Sequence, residues 1–202
     1  MDGVITDTMP YHFRAWKTIF TTIGIHVSHE DIYKREGQKG IDSVYEIFRE
    51  KGKTCSDVLA RELLKKKERT FKRILKRRFI RGSRLLISRL RSSGYRLALV
   101  TGTSRHEAKE LLPEYLWNSF EVIVSGSEVK NGKPHPEPYV TALSRLKLKS
   151  SRAVVIENAP FGIASAKAAG LQCVALETSL PKKYLQGADA IFKSYASLQK
   201  IF

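Results

Sequence analysis

Three short apolar stretches of the chain, residues 96–100, 122–124 and 153–156, are each followed by polar residues able to handle an anion. Thr101-Gly102-Thr103-Ser104 follows the first, Ser125-Gly126 and then Lys133 the second, and Glu157-Asn158 the third. Hydroxyls and turn amides donate to oxyanions, Lys133 supplies a charge, and Glu157 with the Asn158 amide offers hard oxygen ligands. This inventory suits a phosphoryl group and Mg²⁺. Pro134, Pro136 and Pro138 stiffen the loop that carries Lys133 and reduce the entropy lost in positioning it. Asp2, ahead of Gly3, is on its own either a turn residue or a proton-transferring carboxylate.

The order of elements predicts how these residues are held. From Tyr11 to Arg78 the pattern is helical: Phe13, Trp16, Phe20 and Ile23 share a face, as do Val44, Ile47 and Phe48, then Leu59, Leu63 and Leu64. After Gly82, a hinge in this reading, helical and short apolar segments alternate, with strands expected at 96–100, 122–124, 153–156 and 173–176. Strands that are apolar throughout belong to a parallel sheet covered on both faces. The expected fold is α/β: a doubly wound, Rossmann-like parallel sheet core of residues 1–8 and 80–202, with an inserted all-helical cap over 9–79. In such sheets the chemistry collects at the carboxyl ends of the strands, where the polar residues above stand.

With 202 residues, 42% of them hydrophobic, the chain can bury a substantial core. Cys55 and Cys173 lie far apart without metal-ligand spacing, so neither a disulfide framework nor a zinc site is expected, and a reducing cytoplasm fits. His26, His29, His106 and His135 show no ligand spacing either. No apolar run approaches the roughly 20 residues of a membrane span, and no signal-peptide pattern opens the chain. The net charge of +16 attracts polyanions. Much of it lies between Lys65 and Arg84, where cations alternate with Phe71, Ile74, Leu75 and Phe79 at helical spacing. The expectation is the wet side of an amphipathic helix, not a nucleic-acid footprint, because base-stacking aromatics and nucleic-acid motifs are absent.

Asp2-Gly3-Val4-Ile5-Thr6-Asp7-Thr8 resembles the back half of the D-x-D-G-V-x-x-D motif of haloacid dehalogenase-like phosphatases and phosphomutases. Thr101, Lys133 and Glu157-Asn158 resemble the second, third and fourth motifs of that family, in order. Tyr11-His-Phe-Arg-Ala-Trp16 and the helical insertion directly after the first motif narrow the likeness to the β-phosphoglucomutase/phosphoglycolate phosphatase branch. The wording of 9–12, 35–37 and 156–160 is similar to hydrolases that include an inorganic pyrophosphatase. The resemblance implies an aspartyl-phosphate enzyme using Mg²⁺ on a small phosphorylated substrate. It makes Asp2 the acid/base, places Thr101 and Lys133 on phosphoryl oxygens, and gives the metal to Asp2, Glu157 and Asn158. The nucleophilic aspartate and the apolar strand leading to it would precede Met1, so the expectation is a natural start some residues earlier and an inactive chain as it stands.

Further substrate-side residues are His12, Trp16, Glu36, Lys39 and Gly40 in the cap, and Gly102 and Thr103 in the core. Each has a plainer reading: Trp16 as core, His12 as packing, Glu36 and Lys39 as solvated charges, the rest as loop. Motif IV more commonly has two acids, and neutral Asn158 weakens metal binding unless another carboxylate, for which Glu36 is placed, compensates. A phosphomutase must grip a second phosphate, yet the cap loop reads Lys39-Gly40-Ile41-Asp42-Ser43, with an acid where a cation is wanted. Hydrolysis is therefore the leading expectation. A sugar phosphomutase and a non-catalytic phosphate or polyanion binder are the alternatives.

Overall fold

The computed structural model describes residues 1–198. Four helices come first: α1 Met9–Thr21, α2 His29–Tyr33, α3 Gly40–Glu50 and α4 Asp57–Ile74. Pro10 stands in the first turn of α1, where its fixed φ suits a helix start. Ser28 and Asp31 cap each other's backbone at α2, and Ser56 accepts from the Leu59 amide at α4. Phe13, Trp16 and Phe20 of α1 share one apolar cluster with Val44, Ile47 and Phe48 of α3 and with Ala60 and Leu63 of α4.

Helix α4 stops at Ile74, short of the basic amphipathic pattern that runs on to Phe79. Tertiary pairing overrides the periodicity there. The Asp7 amide donates to the Arg78 carbonyl at 3.0 Å, the Ile80 amide to the Ile5 carbonyl at 2.9 Å, and Phe79 pairs with Thr6. The chain thus enters and leaves the helical segment side by side.

The rest alternates helix and strand: α5 Ser83–Ser92, β1 Ala98–Val100, α6 Arg105–Leu111, α7 Glu114–Trp117, β2 Val122–Val124, α8 Glu137–Leu146, β3 Val154–Glu157, α9 Pro160–Ala168, β4 Gln172–Leu176, β5 Ala190–Phe192 and α10 Tyr195–Leu198. The described strands pair in parallel, as the apolar strands predict, with Leu99 opposite Ile123, Val155 opposite Cys173 and Ala175 opposite Ile191. The strands do not make one sheet. β1 pairs with β2, β3 with β4 and β4 with β5, in two separate sheets.

Alternation along each strand covers both faces. Val174 and Leu176 of β4 join Leu99 of β1 and Ile123 of β2 in one cluster with Leu86 and Leu90 of α5. Cys173 and Ala175 turn the other way, onto Ile163 and Ala166 of α9, and Val122 and Val124 turn onto Ala142 and Leu146 of α8. One cluster therefore spans the two sheets although no hydrogen-bonded ladder does. Among the described residues no helix is long and apolar enough to cross a membrane.

Candidate active site

The parallel sense of β1 and β3 brings Thr101 and Asn158, each following its strand, to the same end of the molecule. Asp2 joins them through a tight turn: the Met1 carbonyl accepts from the Ile5 and Thr6 amides at 2.7 and 3.1 Å, and Gly3 takes φ +62°. A side chain on Gly3 would have its Cβ within 2.7 Å of Glu36 Oε1 and collide with Asn158 and Ser179, so only glycine lets this turn sit against them.

The buried Asp2 carboxylate is held by three side chains. Thr8 donates to Oδ1 at 2.5 Å, Thr103 donates to Oδ2 at 3.2 Å, and His12 Nε2 lies 3.3 Å from Oδ1. Burial works to raise the Asp2 pKa, but the hydrogen bond from His12, with help from Thr8, outweighs it and leaves the carboxyl below its ordinary range. His12 stacks on Phe71 and places Nδ1 3.0 Å from the ammonium of Lys67. An ammonium only donates, so Nδ1 accepts and the ring is neutral, with its proton on Nε2 toward Asp2. Burial and then the Lys67 charge push the His12 pKa down in the same sense. His12 thus acts on Asp2 as a hydrogen-bond donor.

Lys67 corrects the reading of α4 as a solvated basic face. It is 8% exposed, lies over the rings of Trp16 and Phe71, and feels the charges of Glu107 and Asp2. A signal for it exists in the sequence: Ala60, Leu63, Lys67 and Phe71 fall on one stripe at helical spacing, so Lys67 belongs to the apolar face. Trp16 serves both readings, stacked on Phe20 in the helical cluster while lining the cavity described below.

Lys133 is buried beneath this layer. Its ammonium donates to Glu157 Oε1 at 2.6 Å and to the Val100 carbonyl at 3.3 Å. Tyr139, in the first turn of α8, donates to the same Glu157 oxygen at 2.5 Å. Burial, then the Glu157 charge, raise the Tyr139 pKa far above its usual value, so the phenol keeps its proton. Burial opposes ionisation of Glu157, yet Lys133 and these hydrogen bonds leave its pKa lowered. The Glu157 carboxylate is therefore engaged in holding Lys133.

Asn158 reaches the helical segment: Nδ2 donates to Glu36 Oε2 at 2.7 Å and to Ser179 Oγ at 2.8 Å. Glu36 Oε1 and Asn158 Oδ1 are then both buried without a hydrogen-bond partner. Burial first, then the nearby Asp2, push the Glu36 pKa well above its usual value. Among the described residues no three His, Cys, Asp or Glu side chains converge as a metal set, so a cation here would draw on the Asn158 amide oxygen. Two buried hard oxygens without partners, beside carboxylates, fit Mg²⁺.

The loop after α2 closes the site from above. A Cβ on Gly102 would lie 2.6 Å from the Gln38 carbonyl and collide with that of Gly37, and a Cβ on Gly37 would lie 2.9 Å from Lys133 Cδ. Thr101 Oγ1 accepts from the Thr103 amide at 3.2 Å, which fixes the turn beneath them. Gly40 opens α3 against Leu64, and the Lys39 ammonium is anchored on the Val129 and Lys130 carbonyls at 2.8 and 3.0 Å. Between this lid and the strands remains a cavity of about 280 Å³, with Asp2, His12, Glu36, Lys67 and Thr103 in its wall. The structure brings Asp2, Thr101, Thr103, Lys133, Glu157, Asn158, His12 and Glu36 together, and Lys39 spends its charge on a neighbouring loop.

Residues 1–176 match the family model described as haloacid dehalogenase-like hydrolase. The chain is 33% identical over 179 residues to the phosphorylated carbohydrates phosphatase of Thermotoga maritima, covering 85% of this chain and 80% of that protein. It is 27% identical to the β-phosphoglucomutase of Bacillus subtilis, covering 98% and 88%. Among solved structures it is similar to CbbY of Rhodobacter sphaeroides in complex with phosphate, at 26% identity and a TM-score of 0.79, covering 98% of this chain and 93% of that one.

Proposed function

The chain belongs to the haloacid dehalogenase-like hydrolases, and we propose that within this family of phosphate-handling enzymes it is a Mg²⁺-dependent phosphohydrolase of a small phosphorylated metabolite or of pyrophosphate. The observation that carries the reading is that Asp2, held by three donors, and Glu36 line a cavity of about 280 Å³, with the Asn158 contact of Glu36 and the Lys133–Glu157 pair buried behind them. A chamber of that size admits a small phosphate compound and excludes a polymer.

Each residue has a part the geometry allows. Thr101 and the Gly102 amide donate to phosphoryl oxygens, and Lys133, oriented by Glu157 and Tyr139, neutralises charge that builds during transfer. Asp2 is ionised at rest, the state that takes a proton from water. A phosphoryl dianion arriving beside it raises its pKa by repulsion, the condition for giving a proton to the leaving oxygen. Asn158 Oδ1, Glu36 and Asp2 would hold Mg²⁺, which supplies charge neutralisation on the phosphoryl oxygens. Because Glu36 comes from the helical segment, closing that segment and binding the ion are one event. By its resemblance to the family motif, the aspartyl-phosphate route would take its attacking carboxylate from the position before Met1.

Hydrolysis is favoured over mutase chemistry by the lid. Arg35 is ion-paired with Glu46 and Glu50 and Lys39 is tied to loop carbonyls, so neither cation is left to grip a second phosphate. Calorimetric titration of the chain with inorganic phosphate and pyrophosphate tests the site. Binding should tighten on adding Mg²⁺ and weaken at least tenfold in Lys133→Ala. A form extended to carry an aspartate before Met1 should hydrolyse sugar phosphates or pyrophosphate. No anion binding with or without Mg²⁺, together with an inert extended form, would overturn the reading.

A further inference from the structure

Between Arg69 and Arg91 the chain carries eight arginines, two lysines and no Asp or Glu, so one stretch supplies +10 toward a net charge of +16. Only its first part belongs to the basic helix. Arg73 stands in the last turn of α4, Lys76, Arg78 and Arg81 on the connection that follows, and Arg91 near the end of α5. Leu75, Phe79 and Ile80 of the connection pack on the same apolar cluster as Leu86, Ile87 and Leu90 of α5. The connection and α5 therefore form one layer, with apolar residues inward and the cations between them outward. Arg84 ties the two parts together by lying over the Phe79 ring, 5.0 Å from its centre. Arg73, Lys76, Arg78, Arg81 and Arg91 are exposed and make no ion pair among the described residues, whereas Lys72 beside them is held by Glu110 at 2.9 Å.

An acid-free face rich in arginine takes a polyanion. Guanidinium groups match phosphate oxygens two at a time, and arginine outnumbers lysine four to one in this stretch. A lipid surface is disfavoured, because an interfacial helix inserts an apolar face and that of α5 is spent on the core. Leu85 is the one large apolar residue of 69–91 left exposed, at 51%. A nucleic-acid single strand is held by stacking its bases on aromatic rings, but Phe71 is buried and Phe79 lies beneath Arg84. A duplex asks for neither: its backbone is bound by cations alone, without stacking rings or base-reading motifs. It presents one charge for about every 1.7 Å of axis, against the roughly 15 Å length of a ten-residue helix such as α5.

We propose that the outer face made by the end of α4, the 75–82 connection and α5 binds the phosphate backbone of a double-stranded nucleic acid without reading its bases. None of these cations lines the cavity, so the inference is independent of the phosphohydrolase reading.

Anisotropy titrations of the full chain with fluorescent duplexes of about 20 base pairs, DNA and RNA, test it. With about four to five phosphates neutralised, log affinity should fall against log salt with a slope of about −4, a loss of roughly 250-fold between 50 and 200 mM salt. Two duplexes of unrelated sequence should bind alike. Arg73→Gln, Lys76→Gln and Arg81→Gln together should cut the slope by about 3. Lys149→Gln, Lys182→Gln and Lys183→Gln together remove the same charge from outside the stretch and should leave the slope unchanged. Equal weakening by the two variants would overturn the proposal, since net charge alone would then attract the duplex. So would no binding of either duplex at 50 mM salt, or affinities for the two sequences that differ tenfold or more. Tighter binding of polyglutamate, or of vesicles containing phosphatidylserine, would also overturn it and assign the face to an acidic protein or a membrane.

Discussion

Lys67 Nζ lies 3.0 Å from His12 Nδ1, so a lysine from the most basic helix of the chain sets the tautomer of the histidine that hydrogen-bonds Asp2. Lys67→Met keeps the length of the side chain over Trp16 and Phe71 and removes the charge. Burial still depresses the His12 pKa, but the Lys67 contribution disappears, so the imidazole titration followed by NMR should move upward from its position in the parent chain. Turnover by the extended form should fall about tenfold or more, the scale of a disturbed acid–base group. An unchanged His12 titration would show that the two side chains do not act on each other.

Thr8 donates to Asp2 at 2.5 Å inside the protein, and Thr8→Val keeps the shape while leaving the carboxylate one donor short. The expected cost is about 1–3 kcal/mol in urea unfolding at pH 7, the range for a buried group deprived of its partner. The pH dependence has a definite sign. The folded Asp2 pKa lies below the ordinary aspartate value of 3.8, so its hydrogen bonds stabilise fully above that value and lose their effect as pH falls through the folded pKa. The gap between the two proteins should therefore shrink below pH 3.8. A gap that widened with acid would show that Thr8 does not stabilise the ionised carboxylate.

The residues that follow apolar strands were legible from the sequence, because a parallel sheet leaves its strand ends as the place for polar groups: Thr101, Lys133, Glu157 and Asn158 all meet there. The supports were not. Tyr139 reads as an ordinary helical residue until its hydroxyl is found on Glu157, Thr8 is a short hydroxyl folded back on Asp2 by the turn, and Ser179 meets Asn158 from 21 positions away. Lys67 was hidden by its neighbours, since Lys65 and Lys66 beside it are exposed. The division of the sheet was also illegible as geometry, because periodicity identifies strands without stating which edges meet. β5, Ala190–Phe192, was not expected either, and its three residues are only half-buried.

Glu128 ties the loop after β2 to α6 and α8, accepting from the Ser125 hydroxyl at 2.6 Å, from Arg145 at 2.9 Å and from Arg105 at 3.2 Å. Partial burial opposes its ionisation, but the Ser125 and arginine hydrogen bonds prevail and hold its pKa at about 2. Its stabilising effect is complete above the ordinary glutamate value of 4.5 and is lost as pH falls toward 2. Glu128→Gln should therefore lower stability by about 1–3 kcal/mol at pH 7, with the difference narrowing steadily in urea titrations below pH 4.5. A difference constant across that range would assign the loss to packing and not to charge.

Gly102 is where the lid touches the strand end, and its Cβ would have to share space with the Gly37 and Gln38 carbonyls. Backbone on backbone gives no flexible end to move aside, so Gly102→Ala should hold the 36–40 loop away from Thr101 and Lys133. The apolar clusters of the helices and of the sheets do not include this contact and should keep their stability. The expected result is faster amide exchange across 36–40, with phosphate affinity lowered at least tenfold and the urea midpoint little changed. Loss of affinity without faster exchange would mean that the glycine serves the anion turn directly, and intact affinity would show that closure of the lid is not needed to bind phosphate.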